Sequence, residues 1–105
     1  MKTIFATVLA FGLPIVVLSA TPTVQIKDDA FKPAMLTIAA GQTVTFVNAD
    51  DDAHTVTATD GSFDSKGLDT DGTWRHTFSK PGTYAYFCEL HPFMKATIVV
   101  KAVRP

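Results

Sequence analysis

Beyond residue 22 the chain alternates apolar and polar positions in short runs broken by turn residues, the period-two signature of half-buried strands. Val24 and Ile26 alternate with Thr23, Gln25 and Lys27 until Asp28-Asp29 breaks the run. Phe31-Lys32-Pro33 reads as a loop carrying an apolar plug, followed by a strand from Met35 to Ile38 and a turn at Ala40-Gly41. Val44 and Phe46 continue the alternation to Asn48, and the polar loop Ala49-Asp50-Asp51-Asp52-Ala53 leads to a strand from His54 to Ala58. The three adjacent acids read as a solvated surface loop. Phe63-Asp64-Ser65 and the stretch Gly67 to Gly72 read as an irregular crossing. Trp74, His76 and Phe78 then share one face, which makes His76 a hydrogen-bonded structural histidine on the apolar side. Pro81-Gly82 turns into Thr83 to Cys88, and Lys95 to Lys101 forms the last strand with Ala96, Ile98 and Val100 on one side. Tyr84, just after Pro-Gly, is similar to the tyrosine corner of Greek-key sandwiches. No stretch after residue 20 sustains a 3.6-residue period. The expected fold is therefore an all-β, Greek-key β-sandwich of seven or eight strands with almost no helix.

The first residues follow a different pattern. Met1-Lys2 precede an apolar run from Ile4 to Leu18, and Ser19-Ala20 come before polarity returns. A short positive start, an apolar segment short for a membrane span and then small residues are the layout of an export signal. We therefore expect a signal peptide over residues 1–20, cleavage after Ala20, a single domain over 21–105 with no membrane span after cleavage, and a periplasmic or otherwise exported destination. An uncleaved membrane anchor is the alternative reading. The chain has 105 residues, 47% of them hydrophobic and 18% charged, which suffices for one modest domain acting as a monomer. Its formal charge of −1 gives no basic excess for a nucleic-acid partner.

One stretch does not fit a purely structural account. Cys88-Glu89-Leu90-His91-Pro92-Phe93-Met94 offers a thiolate, an imidazole and a thioether at positions i, i+3 and i+6. These are three of the four donors of a blue-copper site, which takes two His and one Cys in a trigonal plane and a weak axial Met. A tight loop is needed to bring them to one side, and Pro92 stiffens it by fixing φ. Cys88 is the only cysteine in the chain, so it has no intramolecular disulfide partner. A lone cysteine is either a small buried hydrophobe or a ligand, and His and Met at these offsets favour the ligand. The fourth donor must be a second histidine from elsewhere.

Tyr86-Phe87-Cys88-Glu89-Leu90-His91-Pro92-Phe93-Met94 resembles the copper loop of the cupredoxin (type 1 blue copper) family, with the ligand spacing of its amicyanin-like members. The similarity extends through Asn48, His54-Thr55-Val56, Gly61 to Ser65 and Lys80-Pro81-Gly82-Thr83-Tyr84, covering nearly all of the chain after residue 22. Two positions depart: Leu90 stands where amicyanin-like loops have Pro, and Thr55 where they have Asn. The resemblance implies one copper ion, alternating between Cu(I) and Cu(II), held by His54, Cys88, His91 and Met94. It also implies one-electron transport between redox partners, such as a dehydrogenase and a c-type cytochrome, docking near His91, Pro92 and Phe93. A copper-binding protein serving delivery or resistance would use the same ligands, and that reading stands beside the electron carrier. A sandwich module in which Cys88, His91 and Met94 merely pack is the third. An oxidase needs a further metal centre bound largely by His. Three histidines, two of them committed to one site, do not provide it, and no enzymatic activity is expected.

Overall fold

The computed structural model describes residues 21–103; the expected export signal lies outside them. Eight strands form two four-stranded sheets: β1 (Thr23–Lys27), β2 (Ala30–Lys32), β3 (Met35–Ala39), β4 (Thr43–Asn48), β5 (Thr57–Ala58), β6 (Thr73–Thr77), β7 (Gly82–Phe87) and β8 (Lys95–Lys101). The orders are β2-β1-β4-β6 and β3-β8-β7-β5. Both sheets are mixed. β1 runs parallel to β4 and β3 parallel to β8, and the remaining pairs are antiparallel. No helix occurs among the described residues.

The alternation in the sequence sets which side chains meet between the sheets. Val24 and Ile26 of β1, Val44 and Phe46 of β4, and Ala96, Ile98 and Val100 of β8 are all buried, while their neighbours along each strand are more exposed. Aromatic rings fill the centre, with Tyr86 packed edge-on against Phe31 at 4.8 Å and Phe46 at 5.7 Å. Each such side chain removed from water contributes on the order of 1.5–3 kcal/mol. Burial pushes the Tyr86 phenol above its ordinary range, so the ring stays neutral inside the core.

Two expectations are corrected. Phe31 is not a loop plug: Ala30–Lys32 pairs with β1 through a hairpin whose two central residues, Asp28 and Asp29, have φ of 55° and 54°. That left-handed pair is the geometry of a type I′ turn, which matches the twist of the flanking strands. The strand expected over His54 to Ala58 shrinks to Thr57–Ala58, with His54 making only an isolated bridge to Leu68. The hydroxyls of Thr55 and Thr57 bond to one another at 2.9 Å, and all five residues are buried, so only the last two pair as the edge strand β5 while the rest packs inward.

His76 sits where the alternation places it. Its ring stacks on Trp74 at 5.2 Å and 14° and lies 4.9 Å from Phe63, and burial lowers its pKa. Aromatic packing is what holds it. The Tyr84 hydroxyl donates to the carbonyl of Lys80 at 2.7 Å, closing the tyrosine corner at the entry to β7.

Candidate metal centre

Two segments at one end of the sandwich carry the chemistry. The first leaves β4 at Asn48 and reaches His54, whose backbone bonds to Leu68 in both directions at 3.1 and 2.8 Å. The second begins as β7 ends. The amide of His91 donates to the Cys88 carbonyl at 3.2 Å, Met94 to the His91 carbonyl at 2.8 Å, and Cys88 back to the Met94 carbonyl at 3.2 Å. Each interval of three residues is thus one backbone turn, and the first of them brings the Cys88 and His91 side chains to one side.

Thr55 joins the two segments. Its amide donates to Cys88 Sγ at 3.3 Å, and its hydroxyl accepts from the Glu89 amide at 2.8 Å.

The side chains converge. His54 Nδ1 lies 3.6 Å and His91 Nδ1 3.7 Å from Cys88 Sγ, and the three donor atoms fall within 4.8 Å of one another. With a metal–sulfur bond of about 2.3 Å and a metal–nitrogen bond of about 2.0 Å, a trigonal plane separates sulfur from nitrogen by about 3.7 Å. The donor set therefore fits one metal ion of that coordination. His54 and Cys88 are fully buried and Met94 is buried in the same loop, while His91 is half-buried. The His54 and His91 rings stand 4.8 Å apart. Around His91 the surface is mixed: Leu90 is 56% and Phe93 69% exposed, with the Phe93 ring edge-on to His91 at 6.0 Å, while the exposed Asp29 and Asp52 each bring a carboxylate oxygen within 4.8 Å of a His91 ring nitrogen.

The acidic loop is only partly the solvated segment expected. Asp51 and Asp52 are exposed, but Asp50 is buried, and its carboxylate accepts from the amides of Asp28 at 2.8 Å and Asp29 at 3.0 Å. Its Oδ2 also lies 2.9 Å from His54 Nε2. The Asp29 amide first, and then the Asp28 amide and the His54 ring, hold the Asp50 carboxyl at about 2 against the opposing effect of burial. Asn48, also fully buried, fixes the loop from below: its amide nitrogen donates to the carbonyls of Asp52 at 2.9 Å and Leu68 at 2.8 Å, and its oxygen accepts from the Asp50 amide at 3.0 Å. From the sequence Asp50 reads only as one of three acids beside His54 that bias the local potential, and Asn48 and Thr55 only as points of resemblance. Asp50 and Thr55 act through groups distant in sequence, and Asn48 through Leu68 as well as its own loop, which no local pattern announces.

Comparison with known proteins agrees with this architecture. The chain is 35% identical over 71 residues to amicyanin of Paracoccus versutus, covering 63% of this chain and 54% of that protein. It is 34% identical over 83 residues to amicyanin-alpha of Methylorubrum extorquens, covering 74% and 70% respectively. The chain thus spans from about half to about two thirds of the length of these curated relatives. Among solved structures, a reduced mutant of amicyanin superposes with a TM-score of 0.74 at 27% identity, over 81% of this chain and 86% of that one. A purple cupredoxin from Nitrosopumilus maritimus gives 0.70 at 26% identity, over 76% and 99%. The family model of the cupredoxin-like domain matches residues 4–100, and with that match, the two mixed sheets and the loop between β7 and β8, the chain belongs to the cupredoxin-like family.

Proposed function

We propose that this chain is an exported type 1 copper protein that carries single electrons between redox partners. In this reading His54 Nδ1, Cys88 Sγ and His91 Nδ1 are the principal ligands and Met94 is the weak fourth. The observation that carries it is the convergence of two imidazole nitrogens on one buried sulfur at 3.6 and 3.7 Å. A neutral-to-soft donor set with a thioether suits copper over zinc, which in structural sites takes four strong ligands. Solved amicyanin structures include reduced Cu(I) and oxidised forms. We extend that chemistry to this chain.

Copper bound here supplies a one-electron couple. The chain's own residues supply constancy and access. His54 is pinned by its bridge to Leu68, and the Cys88 loop by its internal turns and by Thr55, so the ligands have little freedom to rearrange when the charge changes. Burial of His54, Cys88 and Met94 excludes water and leaves no open position for a substrate. The same burial favours a retained cofactor over a delivered one. An export signal over residues 1–20 belongs to the proposal, since a solitary thiol in an oxidising compartment is explained by metal ligation.

The test is to add Cu(II) to the metal-free protein. One equivalent is expected to produce an intense visible charge-transfer band that saturates at one copper per chain; weak absorption alone, or no binding, would overturn the reading.

Electrons enter and leave through the exposed edge of His91, with Leu90, Pro92 and Phe93 as the apolar docking patch. Transient redox contacts are small and dissociate quickly, and a few apolar side chains around a conducting ligand provide contact without tight binding. Phe93→Lys is expected to slow the second-order reaction with a dehydrogenase or c-type cytochrome partner on the order of tenfold, the loss of one useful interface contact, at unchanged potential. Stopped-flow kinetics with voltammetry checks this. An unchanged rate excludes the patch.

A further inference from the structure

We propose that Asp50 is a positioning residue for His54: its carboxylate fixes the Nε2–H tautomer, turns the Nδ1 lone pair toward Cys88, and lowers the potential of the copper centre. This rests on the ligand assignment proposed above.

The geometry is that of a built site. Asp50 Oδ2 lies 2.9 Å from His54 Nε2, on the side of the ring opposite Nδ1, and the imidazole is fully buried. An ionised carboxylate only accepts hydrogen bonds, so Nε2 is the donor and Nδ1 keeps its lone pair. Asp50 is itself held. The two left-handed residues of the β1–β2 hairpin, Asp28 and Asp29, aim consecutive amides at its two oxygens at 2.8 and 3.0 Å, and the Thr70 hydroxyl donates to its carbonyl at 2.8 Å. A second carboxylate, Asp29 Oδ1, lies 3.6 Å from the same nitrogen. The β1–β2 hairpin is thereby coupled to the metal ligand by the Asp50 carboxylate that its amides hold and, at longer range, by Asp29 itself.

Two consequences follow from the charge. A carboxylate behind a ligating imidazole fixes the ring's orientation and raises its basicity, and loss of such a partner costs on the order of 10–100-fold in metal affinity or activity. Negative charge next to the centre favours the more highly charged oxidised ion, because Coulomb attraction in a buried site is poorly screened. Cu(II) is stabilised relative to Cu(I), and the potential falls.

Two measurements test the proposal. In metal-free wild-type protein, nitrogen-15 NMR of the His54 ring is expected to show the Nε2–H tautomer with a slowly exchanging proton. An Nδ1–H tautomer overturns the proposal whether or not copper binds. In Asp50→Asn, which preserves size and removes charge, the preference of the site for Cu(II) over Cu(I) is expected to fall about tenfold, a rise of about 59 mV for a one-electron couple. The visible band is retained. An unchanged potential in a folded Asp50→Asn overturns the electrostatic role. Should that variant fail to fold, the wild-type tautomer still decides the positioning role. Failure of wild-type protein to take up copper defeats the ligand assignment and leaves the tautomer result standing.

Discussion

Cys88→Ser is expected to abolish the intense visible absorption of the copper-loaded protein while leaving the sandwich folded. The band requires a thiolate bonded to Cu(II), and Cys88 is the only cysteine in the chain, so no other sulfur of this kind can replace it. Serine is nearly the same size, and its hydroxyl can accept from the Thr55 amide that now donates to Sγ at 3.3 Å. The stability cost should therefore stay near about 1–2 kcal/mol, the range for exchanging one satisfied buried polar group for another. Copper uptake should weaken as well, because a neutral hydroxyl replaces the one anionic ligand among the four. Absorption and paramagnetic resonance on the loaded variant, with circular dichroism as the folding control, make the measurement. A variant that kept its colour would show that the sulfur of Cys88 is not a ligand.

Asn48→Ala is expected to cost about 2–3 kcal/mol, most of it from one buried amide left without an acceptor. Asn48 is fully buried and makes three side-chain hydrogen bonds, to the carbonyls of Asp52 and Leu68 and from the amide of Asp50. Truncation leaves the Asp52 carbonyl and the Asp50 amide without their partner, while the Leu68 carbonyl keeps its bond from the His54 amide. Water can reach the Asp52 carbonyl, since Asp52 is exposed, but the Asp50 amide belongs to a buried residue. That amide carries most of the loss, at about 1–3 kcal/mol. For a domain of this size a 3 kcal/mol loss lowers Tm by about 12–24 °C. Thermal and urea unfolding measure it, and a shift smaller than about 1 kcal/mol would show that the loop is held by other contacts. Asn48→Asp separates the two halves of the amide: it keeps the acceptor for Asp50 and loses both donations.

The strands and the loop carrying Cys88, His91 and Met94 stand out in the sequence for opposite reasons. Val24, Ile26, Val44, Phe46, Ala96, Ile98 and Val100 declare themselves because a half-buried strand imposes period two on its own residues. Cys88, His91 and Met94 declare themselves because three rare donor types fall at one spacing. Phe31 was misplaced because its strand is three residues long and depends on a turn in which two aspartates adopt a conformation that glycine or asparagine would have signalled better. Asp50 could not be told from Asp51 and Asp52 by composition; what separates it is the pair of amides that the Asp28-Asp29 turn presents from a segment distant in sequence. Thr55 likewise looks like an ordinary strand residue, yet its amide and hydroxyl tie together the segments that carry His54 and Cys88.

The parallel pairing of β3 with β8 bears on how the molecule assembles. Met35 lies opposite Thr97 and Ala39 opposite Lys101, so the edge of one sheet is closed by residues near the two ends of the domain. Loop-closure entropy for contacts of such high sequence separation must be overcome before their burial stabilises anything, which places folding in the millisecond-to-second regime of non-local β topologies. β3 stays an unpaired edge until β8 arrives. Cys88, His91 and Met94 lie between β7 and β8, which pair with each other, while His54 comes from a segment distant in sequence, so the full donor set exists only in the folded chain, and a metal ion that binds it stabilises that chain by mass action.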